Sequence, residues 1–271
     1  MFNYLFITNI PEIAAFVEQC GVTRIFVDLE RKGKLERQGH LDTVISKHSF
    51  EDIAAVKEVL SKAELMVRLN PLHDGSENEV EIAISAGCDI IMLPMFKSVQ
   101  EVETFGSLIK GRVKFIPLVE TRGAAESINE IVELECVDEI HIGLNDLHLD
   151  LQLRFMFELL ANGYVEDLVY QCPKPFGIGG IARVGDGIIP GEIVMAEHVR
   201  LGSSGTILSR AFHLCSETLE QLTDQVDLKN EIEKLEAVRK EYMTFDEQEL
   251  QSMHYELCTR VQDVVGYQDV I

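Results

Sequence analysis

At 271 residues, 46% of them hydrophobic, the chain can bury a sizeable core, which excludes a wholly disordered protein. Its 46 acidic and 24 basic residues give a net charge of −22, the wrong sign for a nucleic-acid binder or a protein of anionic membrane surfaces. No apolar run approaches the ~18 residues of a membrane span, and the start, Met1 to Ile7, reads as a strand rather than a signal peptide.

Taken in order, the β-branched and apolar runs predict strands over Tyr4–Thr8, Arg24–Asp28, Glu64–Asn70, Ile90–Leu93, Lys114–Glu120, Glu139–Gly143, Pro175–Gly180 and Val199–Gly202. Between them Glu12–Gln19, Phe50–Ser61, Glu77–Ala86, Val99–Ile109 and Ala124–Leu134 carry apolar residues at three- and four-residue spacing, as helices do. Regular alternation implies parallel strands joined by helical crossovers. Eight such units favour an α/β fold of the (β/α)8 TIM-barrel type over an open doubly wound sheet, because Thr8-Asn9-Ile10-Pro11 offers no early phosphate-binding glycine turn. The glycines of Gly177-Ile178-Gly179-Gly180 read as tight barrel packing, with Arg183 a candidate for an anionic substrate tail.

Composition changes near residue 216. All seven prolines and 18 of the 19 glycines precede it, which divides the chain into a barrel domain, residues 1–216, and an acidic helical extension, residues 217–271. In the extension Leu228, Ile232, Leu235, Val238 and Tyr242 form an apolar helical stripe, followed by a second helix over Glu247–Val265. An exposed stripe needs cover, so it is expected to pack on a neighbouring subunit of a homo-oligomer, its own barrel being the alternative. The six cysteines are scattered with no CxxC pair, as expected for free thiols in a cytoplasmic protein.

Catalytic groups of a parallel barrel come from the C-terminal ends of its strands. There stand Asp28 and Glu30 after strand two, Arg68 on strand three, Glu120 after strand five and Asp146 after strand six. Glu120 and Asp146 should end neighbouring strands about 4.8 Å apart. Two carboxylates so close repel unless a proton or cation is shared, and a hard divalent ion (Mg²⁺, with Mn²⁺ or Co²⁺ possible) removes the repulsion; capping of the next helix or pairing with an arginine is the alternative. Arg68, on an otherwise apolar strand, either forks onto a carboxylate or carbonyl oxygen of a substrate or pairs with an acid on a neighbouring strand.

Phe26-Val27-Asp28-Leu29-Glu30, Val67-Arg68-Leu69-Asn70-Pro71, Gly87 to Met95, Pro117-Leu118-Val119-Glu120-Thr121 and Ile142-Gly143-Leu144-Asn145-Asp146-Leu147 occur in this order. Together they resemble the HpcH/HpaI aldolase / citrate lyase family, and Arg200 to Ser204 resembles its last strand and turn. The resemblance spans roughly Tyr4 to Leu214. It implies a lyase or aldolase that forms or cleaves a carbon–carbon bond of a small 2-oxo acid or related carboxylate. It implies Glu120 and Asp146 as metal ligands and Arg68 on the keto oxygen. Backbone N–H groups of the Gly143, Asn145 and Asp146 turn would meet the substrate carboxylate, and Asp28 and Glu30 would stand near the metal's waters. Where aldolase members carry a histidine after the strand-two acids, this chain has Arg31, and Leu118 replaces a glutamine. Because arginine stays protonated, the base is sought in His40 or His48 on the long polar loop Arg31 to Ser49, with His148 a weaker candidate and His141 a core residue. An acyl-thioester lyase and a catalytically silent assembly partner are the competing readings.

Overall fold

The computed structural model describes residues 2–31 and 48–268. Eight parallel strands close into a barrel in sequence order: β1 Asn3–Ile7, β2 Arg24–Asp28, β3 Glu64–Arg68, β4 Ile90–Leu93, β5 Lys114–Val119, β6 Ile140–Ile142, β7 Phe176–Ile181 and β8 Gly205–Leu208. The fold is therefore the (β/α)8 barrel expected, with helices following it at the C-terminal side. Among the described residues no helix is long and apolar enough to cross a membrane.

Strand side chains alternate, so every second residue faces the barrel axis. Leu5, Phe26, Met66, Ile90, Met92, Ile116 and Leu118 form the inner cluster. Their neighbours in sequence, such as Ile25, Val27, Leu65, Val67 and Val119, face outward into the larger core under the helices. The same alternation extends the inner rows to charged ends: Arg24-Phe26-Asp28 on β2, Glu64-Met66-Arg68 on β3 and Lys114-Ile116-Leu118 on β5, with Glu120 next in line. At the N-terminal end Arg24 donates to both oxygens of Glu139 at 2.7 and 2.6 Å and to Glu64 at 2.9 Å, and Lys114 donates to Glu64 at 2.6 Å. These ion pairs close the bottom of the barrel. Glu64 held by two cations has its carboxyl shifted below the usual range, chiefly through its bonds to Lys114 and Arg24, against the opposing cost of burial.

Two expectations are corrected. Val199–Gly202 is not a strand. It ends the Gly191–Leu201 helix, where Gly202 adopts the left-handed conformation (φ 77°) of a helix C-cap, and β8 starts three residues later. Val199 and Leu201 read equally well in either period, and the cap glycine was the available signal. Likewise Ala124–Leu134 is split into two short helices, Arg122–Glu126 and Ile128–Val132, around Ser127.

The apolar stripe of the extension is covered by its own barrel, not by a neighbouring subunit. Leu228, Ile232, Leu235 and Tyr242 of the Leu228–Tyr242 helix are buried, and the helix packs on Gly191–Leu201 and Pro11–Gln19. Each such aliphatic residue contributes roughly 1.5–3 kcal/mol by burial. Tyr4 donates its hydroxyl to Glu236 at 3.2 Å, and the Arg239 guanidinium lies 5.5 Å over the Phe2 ring. The Glu247–Gln268 helix then crosses Gly191–Leu201 and buries Leu257 and Val261.

Candidate active site at the C-terminal mouth

Glu120 follows β5 and is only 2% exposed. Its Oε1 accepts the Met95 amide at 3.1 Å, from a residue held at φ 55°. Among the described residues no hydrogen bond reaches its Oε2. Burial, and then the nearby charges of Asp146 and Glu30, push its carboxyl well above the usual range, and Arg68 pulls the other way. Gly143 makes room for it. A Cβ there would stand 2.9 Å from the Glu120 Cβ and 3.0 Å from Oε2.

Asp146 does not end a strand. It sits in the first turn of the Leu144–Asp150 helix, while β6 stops at Ile142, paired with Val119. Its charge nevertheless acts on Glu120. Of that turn, Gly143 cannot offer its N–H to a substrate, because it donates to the Val119 carbonyl at 2.9 Å in the β5–β6 ladder. The Leu144 and Asn145 amides make no hydrogen bond among the described residues, as the first amides of a helix do not.

Arg68 takes both of its expected roles in part. Its Nε and Nη2 fork onto Asp28 at 2.9 Å each, and Nε lies 3.5 Å from Glu30. Those acids raise its already high pKa against the cost of burial. Asp28 and Glu30 therefore orient Arg68, the pairing with a neighbouring-strand acid that was one of its two expected roles. Nη1 makes no hydrogen bond among the described residues, so one edge of the fork is left for a ligand. The guanidinium lies 5.4 Å over the Phe26 ring, which fixes its plane.

The histidines separate. His40 lies outside the described residues. His48 does reach this mouth: its Nδ1 accepts the Asp28 amide at 2.9 Å. A ring nitrogen that accepts there carries no proton, so in this geometry Nδ1 is not available to take one from a substrate. Arg31 fixes the segment by donating to the His48 carbonyl at 2.6 Å, while its own amide donates to Asn70 at 3.0 Å. His148 is buried against the Leu144 carbonyl at 3.2 Å. His141 is a barrel-interior residue whose ring fills the space beside Gly177, where a Cβ would come within 2.3 Å of Nδ1. Burial first, then His198, Arg24 and Arg68, lowers its pKa to about 3. Arg183 is paired with Asp186 in its own loop.

Carboxylate oxygens are the ligand type a hard divalent cation takes. Glu120, whose burial raises its pKa, and Asp146, whose charge acts on it, would supply the one or two carboxylates that Mg²⁺ takes while keeping positions for water and substrate. Among the described residues no group of three or more His, Cys, Asp or Glu is placed to hold a metal by itself, so substrate would have to complete the coordination. Sequence reasoning missed the Met95 amide on Glu120, because any residue supplies an amide, and it offered a neighbouring-strand acid for Arg68 without naming Asp28, which strand register selects.

The family profile of HpcH/HpaI aldolase/citrate lyase matches residues 7–184. Among solved structures, an HpcH/HpaI aldolase/citrate lyase family protein from Burkholderia cenocepacia J2315 superposes with a TM-score of 0.61 at 15% identity, covering 82% of this chain and 94% of that one. A variant of the citrate synthase SbnG superposes with a TM-score of 0.54 at 16% identity, covering 76% and 85%. At these identities the structural likeness speaks to fold alone. No curated protein matches the sequence.

Proposed function

Because this chain belongs to the HpcH/HpaI aldolase/citrate lyase family, we propose that it is a divalent-metal-dependent carbon–carbon lyase or aldolase acting on a pyruvate-type 2-oxo acid. The observation that carries the reading is the burial of Glu120 at the C-terminal mouth. It is 2% exposed, accepts the Met95 amide on Oε1, and lies close enough to Asp146 and Glu30 for their charges to raise its pKa, while Arg68 forks onto Asp28 beside it. Glu120 and Asp146 would hold Mg²⁺, Mn²⁺ or Co²⁺. When bound, the cation acts as a Lewis acid on the oxygen that turns electron-rich as the carbon–carbon bond breaks.

The chain's own groups do the rest. Arg68 offers Nη1 to the keto oxygen, pre-aimed by Asp28 so that no reorganisation is needed as charge develops. The Leu144 and Asn145 amides meet the substrate carboxylate. Removal of the 4-hydroxyl proton falls outside His48, whose Nδ1 lone pair is already used by the Asp28 amide. The ligand of this reading is a small carboxylate, met in the cytoplasm by a homo-oligomer whose subunit contacts lie away from the covered stripe of the extension.

Exchange of the pyruvate methyl protons in deuterated buffer with Mg²⁺ tests the shared half-reaction without knowledge of the aldehyde. Exchange is expected in the wild type and is expected to fall about a thousandfold in Glu120→Gln and in Arg68→Ala. Absence of exchange with Mg²⁺, Mn²⁺ and Co²⁺ alike overturns the reading.

A further inference from the structure

Far along the chain from the mouth residues, the C-terminal helix carries a second constellation. His254 and Cys258 lie one turn apart on the Glu247–Gln268 helix, so they share a face. That face docks on Gly191–Leu201, where Glu197 is 1% exposed. The His254 Nδ1 is 2.9 Å from the Glu197 Oε1, and the Cys258 Sγ is 3.4 Å from the His254 Nε2. A carboxylate only accepts, so Nδ1 donates and the Nε2 lone pair faces the thiol. Glu197 is itself fixed by Arg200, whose Nε donates at 3.2 and 3.1 Å and Nη2 at 2.9 Å, and Arg200 is anchored in turn to Glu166 at 2.9 Å.

Nucleophile, base and orienting carboxylate thus stand in line, the arrangement that activates a thiol. Cys258 is half-buried as a residue. Among the described residues no other cysteine sulfur is in hydrogen-bond contact with an imidazole; Cys172 meets only a carbonyl, and Cys20 and Cys88 are buried. The Ala161 carbonyl, 3.2 Å from the Cys258 sulfur, is the alternative acceptor for its one proton, and burial with the charge of Glu197 raises the thiol pKa while Arg200 opposes. It therefore rests as a thiol that needs a base to react.

We propose that Cys258, His254 and Glu197 form a reactive-thiol site that undergoes thiol–disulfide exchange with small disulfides. In this step the Cys258 sulfur forms a bond to one sulfur of the reagent as the reagent's S–S bond breaks. The thiol proton passes to His254 Nε2 and then to the departing thiolate, so the exchange balances with no other oxidant. The site is independent of the proposed lyase chemistry.

The full chain treated with oxidised glutathione and mapped by peptide mass tests this. Cys258 is expected to be modified before the exposed Cys215, and about a hundredfold more slowly in His254→Gln, with Cys258→Ser removing the adduct. The wild-type rate is expected to stay flat around neutral pH, whereas an unassisted thiol gains about tenfold per pH unit below its pKa. A wild-type rate that climbs in that unassisted way, or modification of Cys258 no faster than Cys215, overturns the proposal whether or not the variant folds.

Discussion

The two ends of the barrel are built from the same strands, in the same inward rows, with opposite electrostatic outcomes. At the N-terminal end Arg24 and Lys114 meet Glu64 and Glu139, two cations for two anions, all within 2.9 Å of a partner. At the C-terminal end Arg68 faces Asp28, Glu30, Glu120 and Asp146. A buried charge set that balances can serve as a lid, because every ion recovers part of its desolvation cost from a partner. One that leaves carboxylates in excess is destabilised as it stands and gains from a bound cation or proton. Among the described residues this difference is what makes the C-terminal mouth the end at which the proposed chemistry is to be tested.

The sharpest way to break this comparison is to remove the cation at each end. Arg24→Met and Arg68→Met should each cost roughly 3–5 kcal/mol in urea unfolding, since each strands buried carboxylates. Added Mg²⁺ should then restore Arg68→Met and leave Arg24→Met unchanged. Equal rescue, or none, would show that the two ends do not differ in their appetite for cations.

A smaller effect tests the packing beneath Glu120. Gly143→Ala places a Cβ 2.9 Å from the Glu120 Cβ, and overpacking of this kind costs about 1–3 kcal/mol. The displaced carboxylate should weaken Mg²⁺ affinity in calorimetry. Unchanged affinity would separate Glu120 from the proposed metal site.

The smallest effect per unit of condition concerns the buried imidazoles. His141 and His198 have pKa values lowered to about 3, in each case by burial above all. The unfolded chain, with histidine near 6.5, binds protons that the folded chain refuses. Stability is therefore full above pH 6.5 and declines as pH falls toward 3, by about 1.4 kcal/mol per pH unit for each histidine. His141→Phe should lessen that slope by about half of the pair's share. An unaltered slope would mean that His141 is solvated in solution.

Much of this was legible in the sequence. The β-α alternation carried the barrel, since parallel neighbours leave a chain few other closures, and the charged ends of apolar rows at Asp28, Arg68 and Glu120 marked the mouth. The eighth strand was missed because Val199 and Leu201 fit either period. The covering of the Leu228–Tyr242 stripe was assigned to another subunit because an amphipathic pattern states that a face is buried and not against what. His48 illustrates the limit at the site itself. Its identity suggested a base, and only the fold shows that its Nδ1 accepts the Asp28 amide.

By itself the sequence determined the architecture, the family and the strand ends that carry charge, because these depend on period and residue type along the chain. Tertiary structure alone decided which oxygen meets which nitrogen. The forking of Arg68 onto Asp28, the spending of the Gly143 amide on Val119 and the meeting of Cys258, His254 and Glu197 all depend on register and docking angle between distant segments. Hydrogen bonds act over about 3 Å, and a linear pattern does not fix positions that finely.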